Sequence, residues 1–145
     1  MASRTCRDLR FCCASLVLEP HERALALLGV PFRPQGRNPH VGLDCLGVVV
    51  WAFSLTLPEP PRYRLTDGNW EVIEHELAPW FDPVRGRDVL DSDLVVVRLA
   101  RSFHFGVVSG DHLIHADVNV GRVVARRRRP LLGRECRIYE LRGGC

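Results

Sequence analysis

The 145-residue sequence contains no lysine, no Cys-x-x-Cys pair and no long apolar run. Zinc ribbons and thioredoxin-like redox sites use closely spaced cysteine pairs, so neither is predicted from six irregularly spaced cysteines. A reduced compartment is the simpler assumption for these thiols. No apolar stretch approaches the ~18 residues of a membrane-spanning helix, so we predict no membrane partner.

The N-terminus has two features of an export signal. Arg4, Arg7 and Arg10 precede the apolar run Phe11–Leu18. However, the run is short, and no small-residue cleavage site follows it. We therefore predict that this segment is not a signal peptide.

The positive charge is concentrated at one place. All 20 basic residues are arginine, the formal net charge is +3, and four arginines are consecutive at Arg126–Arg129. Arginine binds carboxylates and phosphates through a bidentate fork, so the run could favour an anionic partner. A solvated basic strand end is the simpler interpretation, and we do not predict nucleic-acid binding.

The order of the elements predicts a single α+β domain over residues 1–145. Helices are predicted at Pro20–Leu28, at Leu43–Leu57, which is apolar nearly all round and therefore buried, and around Trp70–Leu77. Trp80 and Phe81 follow as a predicted docking point on the core. Five short β-rich runs then predict an antiparallel sheet: Asp93–Leu99, Phe103–Val108, His112–Asp117, Arg122–Arg127 and Cys136–Leu141.

Cys45 stands at the predicted start of the buried helix, after a loop rich in glycine and proline. The helix dipole and unpaired backbone N–H groups favour the thiolate at such a position, and the same amides can stabilise an oxyanion. The alternative is that Cys45 is a buried structural cysteine. The choice between the two interpretations depends on whether a base lies near the thiol.

His104 is the candidate base. Gly110-Asp111 is a plausible two-residue hairpin turn. Such a turn pairs Ser109 with His112, so the numbers of any two residues that lie opposite each other sum to 221. His115 then lies opposite Gly106, which leaves room for it, and His104 lies opposite Asp117. The two histidines therefore project from the same face, one diagonal step apart, so His115 can orient the His104 ring.

Two other interpretations of these histidines remain open. They could be ordinary polar residues of an exposed hairpin. His112 and His115 could also be metal ligands, but residues i and i+3 of a strand point to opposite faces. We predict no metal and no cofactor.

Several segments together resemble the NlpC family of cell-wall cysteine peptidases. They are Gly29–Arg33 (GVPFR), Gly42–Gly47 (GLDCLG), Asp93–Val97 (DLVVV), His104–Val108 (HFGVV) and Leu113–Ala116 (LIHA). The similarity extends over roughly residues 20 to 125, and it is the order and spacing of the motifs that make it specific. The likeness is greatest to the versions encoded by phages and gene-transfer particles.

The resemblance implies a papain-like fold and a Cys45–His104–His115 triad. It implies hydrolysis, through an acyl-enzyme, of the D-glutamyl–diamino acid bond in peptidoglycan stem peptides. Asp44 would bind the amino end of the substrate, and Phe32 and Arg33 belong to the predicted substrate site. The family often has tyrosine at the position of Phe32 and serine at that of Leu46, which affects substrate contacts rather than the triad.

The predicted partners are peptidoglycan peptides and, for a phage-encoded protein, tail proteins. We expect the protein to be cytoplasmic until released, or carried by a particle, and to act on the cell wall. Two alternatives are a related Cys-His acyltransferase or amidase and a non-catalytic phage-tail or wall-binding module.

Overall fold

The computed structural model of the chain describes residues 18–57, 69–100 and 102–143. In those ranges the chain forms four helices and eight strands, and the strands of its larger sheet pair antiparallel. The predicted mixture of helices with a small antiparallel sheet is therefore confirmed. The segment that we weighed as an export signal lies outside the described residues.

Helix α1 spans Pro20–Ala26 and ends earlier than the predicted Leu28. Proline occupies its first turn, where the missing N–H would have no helical partner in any case. The backbone N–H of Glu19 donates a 2.7 Å hydrogen bond to the side chain of Glu22, which closes a capping box. Gly29, with φ +87°, lets the chain turn away after the helix ends.

Helix α2 spans Cys45–Ala52, so the predicted range Leu43–Leu57 was wrong at both ends. Asp44 caps the helix by accepting a 2.8 Å hydrogen bond from the Gly47 N–H, which fixes the start. The chain leaves the helical conformation just after the end, where Ser54 has φ +52°. Pro58 and the Pro60-Pro61 pair, which the sequence predicts to end this helix, lie outside the described residues.

Helix α3 spans Trp70–Leu77, as predicted. Its buried residues, Trp70, Ile73 and Leu77, recur at helical spacing and form one apolar stripe. The predicted docking point follows it, since Phe81 is 1% exposed and half-buried Trp80 packs against the same core. Within the described residues, no helix is long and apolar enough to cross a bilayer.

The sheets account for most of the remaining chain. Strands β1 (Arg37–Asn38) and β2 (Gly42–Leu43) form a two-stranded sheet in the loop before α2. The six strands of the larger sheet are β3 (Phe81–Pro83), β4 (Leu94–Leu99), β5 (Ser102–Ser109), β6 (His112–Asp117), β7 (Arg122–Arg127) and β8 (Cys136–Leu141). Their order in the sheet is β3-β8-β4-β5-β6-β7, and a short helix α4 (Arg128–Leu132) connects β7 to β8.

Both faces of the larger sheet are partly apolar, because successive side chains alternate between faces. On one face, Phe103, Phe105 and Val107 of β5 join the main core together with helix α2. On the other face, a smaller cluster contains Val108 of β5 and Leu113 of β6. His104 lies between Phe103 and Phe105 in β5, so its side chain belongs to the face of the smaller cluster.

Candidate active site

Cys45 is the first residue of α2, and this residue is 8% exposed and has a free thiol. Burial raises the pKa of the thiol to about 11, although hydrogen bonds from the backbone N–H groups of Phe105 and Leu46 act in the opposite direction. The expectation that the helix start favours a thiolate was therefore wrong for this form of the protein. Desolvation outweighs the helix terminus, and Cys45 is a neutral thiol at neutral pH.

Asp44 holds the segment that leads to the thiol. Its Oδ1 accepts hydrogen bonds from the Gly47 N–H at 2.8 Å and from the Arg37 guanidinium at 2.6 Å, and its Oδ2 accepts from the Gln35 N–H at 3.0 Å. The carboxylate is therefore both helix cap and ion-pair partner. A substrate amine could reach it only by competing with Arg37, and its role in substrate binding stays a prediction.

Phe32 and Arg33 lie beside the same segment. Half-buried Phe32 packs on the core and forms a parallel bridge with Leu43, while the Arg33 N–H donates to the Leu43 carbonyl at 3.1 Å. The Arg33 side chain is exposed. Both residues are thus placed next to the strand that precedes Cys45, and their predicted contact with substrate is untested.

His104 and His115 are in direct contact. His104 Nε2 lies 2.6 Å from His115 Nδ1, and the ring planes meet nearly edge to face, at 88° with centroids 4.7 Å apart. Which nitrogen donates depends on the tautomers. The hairpin argument correctly placed both rings on one face of the sheet.

The hairpin argument was wrong about what lies opposite the histidines. The predicted register holds for Val107↔Ile114 and the two pairs nearer the turn, but the β5–β6 ladder ends there. A Cβ on Gly106 would lie 2.5 Å from Cγ of Leu113, so that glycine leaves room for Leu113 and not for His115. Beyond that point the two strands are joined by the contact between the histidine rings and not by paired backbone positions.

Both imidazoles are neutral at neutral pH. Burial, followed by the neighbouring His115, lowers the pKa of His104 to about 4, although Asp117 acts to raise it. Burial also lowers the pKa of His115, again against the influence of Asp117. The resting site therefore contains a neutral thiol and two neutral rings.

Asp117 is 7% exposed and well supplied with hydrogen-bond donors. Burial acts to raise its pKa, but the backbone N–H groups of Val120 and Asn119 and the charge of Arg126 outweigh it and hold the pKa below its usual range. Arg126 Nη2 lies 2.6 Å from Asp117 Oδ2. The carboxylate is thus a fixed negative charge beside the histidine pair.

Arg126 is a site residue that our sequence reasoning missed, because we treated the arginine run as one surface feature. In the β6–β7 ladder Arg126 pairs with Leu113, and Leu113 shares a face with His115. Applying the same pairing argument to the next hairpin, β6–β7, would have placed Arg126 on the face of the sheet that contains the histidines.

A cavity of about 290 Å³ adjoins the histidine pair. Its polar lining comes from His104, His115, Asp117, Asn119, Arg126 and Arg134, and its apolar lining from Leu99, Val118 and Leu131. Within the described ranges, no group of three or more His, Cys, Asp or Glu side chains could hold a metal ion.

The thiol approaches the histidine strand without contacting the imidazoles. The backbone amide of Phe105, the residue after His104, lies near enough to the thiol to act against the rise in its pKa. Among the described residues, no hydrogen bond joins Cys45 to His104 or His115. The structure therefore forms the predicted histidine pair but no sulfur–imidazole contact, because the Cys45 side chain belongs to the main core while both rings lie on the face of the smaller cluster.

The fold is similar to that of an NLP/P60 family protein from Staphylococcus aureus, described as similar to a lipoprotein. The superposition has a TM-score of 0.55 and 16% sequence identity over 81% of this chain. The chain spans only 39% of the length of that protein. No family model matches the sequence, and no curated protein matches it. The chain thus has an NlpC/P60-like fold, and the likeness carries no activity with it.

Proposed function

We propose that the protein is a cysteine endopeptidase that hydrolyses the D-glutamyl–diamino acid bond of peptidoglycan stem peptides. The observation that carries the proposal is the 2.6 Å contact between His104 Nε2 and His115 Nδ1. The backbone amide of Phe105, the next residue of the same strand, influences the Cys45 thiol. The NlpC/P60-like fold supports it. The fold does not identify the bond or the carrier, so the stem-peptide substrate and phage-type origin belong to the proposal.

The tautomers assign the roles in this mechanism. When His104 carries its proton on Nε2 and donates it to His115 Nδ1, the lone pair of His104 Nδ1 is available for the thiol. His115 then orients the ring and stabilises its charged form. Asp117 adds a negative charge that favours the transient imidazolium.

Attack begins from neutral groups. As the Cys45 sulfur bonds to the substrate carbonyl carbon, His104 Nδ1 takes the thiol proton, and the tetrahedral intermediate then expels the amine, which takes that proton. Water, deprotonated by the same ring, hydrolyses the thioester and restores the thiol. Catalytic hydrogen bonds often tighten only in the substrate complex, so substrate binding must bring sulfur and imidazole together.

The test is purified protein on soluble stem peptides, with the products identified by mass. We expect cleavage by the wild type and by Cys136→Ser, and loss of several orders of magnitude in Cys45→Ala and Cys45→Ser with the fold retained. Circular dichroism checks the fold. Turnover by Cys45→Ala at the wild-type rate would exclude the thiol mechanism, and transfer of the acyl group to an added amine would favour an acyltransferase.

A further inference from the structure

The cavity beside the histidine pair is lined by a positively charged side chain, Arg134, that has no role in the proposed mechanism. Arg126 and Arg134 both line it, but Arg126 is paired with Asp117 at 2.6 Å. In residues 18–57, 69–100 and 102–143, no acidic side chain pairs with Arg134. Arg134 is exposed at the edge of the cavity, so its guanidinium is available to a ligand.

The charges of the cavity sum to a single positive charge at neutral pH. Arg126 and Asp117 cancel as an ion pair, and both histidine rings are neutral. Arg134 therefore determines the sign. The side-chain amide of Asn119, also in the lining, offers a second donor, and the cavity volume of about 290 Å³ lies near the lower end of the range for small-molecule sites.

We propose that this cavity binds a free carboxylate on the leaving residue of the peptide substrate, with Arg134 as its main partner. The proposal rests on the proposed function and adds the substrate feature that the site selects. An arginine fork matches a carboxylate geometrically, and such charge-assisted hydrogen bonds are stronger than neutral ones.

The positions of Cys45, His104 and the cavity indicate which part of the substrate enters the cavity. The cavity is lined by both histidines, whereas Cys45 belongs to the main core on the other face of the sheet, where the Phe105 amide influences its thiol. Because His104 lines the cavity and adjoins Phe105 in β5, a substrate bonded to the sulfur would have to extend past His104 to enter the cavity. His104 delivers its proton to the leaving amine, so the residue carrying that amine lies beyond the ring, towards Arg134.

The test compares matched peptides on matched variants. The first peptide is L-alanyl-γ-D-glutamyl-L-lysine with a free lysine carboxylate, the second has that carboxylate amidated, and the third has only the glutamyl α-carboxylate amidated. The enzymes are the wild type, Arg134→Gln, Arg134→Lys and the control Arg129→Gln, which changes another exposed arginine of the segment between β7 and β8.

For the free acid, we expect Arg134→Gln to raise KM about tenfold with kcat within about twofold, in line with the loss of one charge-assisted hydrogen bond. Arg134→Lys should retain part of the effect, and Arg129→Gln should match the wild type. Amidating the lysine carboxylate should raise the wild-type KM by the same factor and remove the difference between wild type and Arg134→Gln.

Three results would overturn the proposal: an unchanged KM in Arg134→Gln, an equal rise on the acid and the amide, or a dependence on the glutamyl carboxylate instead. If no peptide is cleaved, the proposed function fails separately. In that case, the cavity assignment is tested by the binding of the same peptides to Cys45→Ala, which is monitored through the NMR signals of the His104 and His115 rings. Weaker binding of the acid after adding Arg134→Gln supports the cavity assignment, and equal binding refutes it.

Discussion

The low pKa of His104 makes the stability of the fold depend on pH. Its pKa is about 4 in the folded chain against 6.5 as the ordinary value, because burial and His115 disfavour the charged ring. Between these two pH values the unfolded chain binds a proton that the folded chain does not. The free energy of unfolding must therefore fall as the pH falls from 6.5 towards 4 and lose nothing further from this group below that.

The size of the effect follows from the same values. A pKa lowered from 6.5 to about 4 corresponds to about 3 kcal/mol of stability lost on acidification. That is a large fraction of the 5–15 kcal/mol typical of a domain. Replacing His104 with glutamine removes the titrating group while keeping a polar side chain of similar length.

The measurement is urea unfolding at several pH values between 7.5 and 4. Acid also protonates carboxylates such as Asp117, whose pKa is lowered in the folded state, so the informative quantity is the difference between variants. We expect His104→Gln to lose about 3 kcal/mol less than the wild type across this range, and the exposed His112→Gln to behave like the wild type. Equal losses in wild type and His104→Gln would refute the assignment of a buried neutral ring.

Three further changes test the framework of the site. Under the proposed function, His115→Gln should keep more kcat/KM on stem peptides than His115→Ala, because an amide can still hydrogen-bond the His104 ring; equal activities would argue against an orienting role for His115. Asp44→Ala should lower the free energy of unfolding in urea by about 2 kcal/mol, more than the simple cap loss of about 1 kcal/mol in Asn69→Ala, since Asp44 also holds an arginine. Gly106→Ala should cost about 1–3 kcal/mol in the same assay by clashing with Leu113, and Leu113→Ala should cost less in that background than alone.

Local patterns in the sequence predicted most individual elements. Strands His112–Asp117, Arg122–Arg127 and Cys136–Leu141 and helix Trp70–Leu77 have the predicted bounds, because alternation, turn residues and helical spacing are encoded within each segment. The two-stranded sheet before α2, helix α4 and the placement of β8 between β3 and β4 were not predicted. Strand order depends on contacts between distant segments, which a local pattern does not contain.

Features of the candidate site were likewise predicted where they depend on local sequence and missed where they depend on packing. A two-residue turn fixes side-chain parity, so the shared face of His104 and His115 followed from the sequence. The end of the ladder at Val107 and the burial of Cys45 did not, because both depend on packing. The sequence therefore identified which side chains meet on one face, and it misjudged the protonation of the thiol.

The β5–β6 hairpin also has a consequence for the order of folding. His104 and His115 are separated by 11 residues and joined through a tight turn, so they can pair on the microsecond timescale of hairpin formation. Cys45 lies far earlier in the chain and reaches β5 only when α2 packs on the sheet, a contact between distant segments that forms slowly. A partly folded chain would thus contain the proposed base and its orienting partner without the proposed nucleophile. The proposed catalytic arrangement would form late in folding, after the hairpin is already complete.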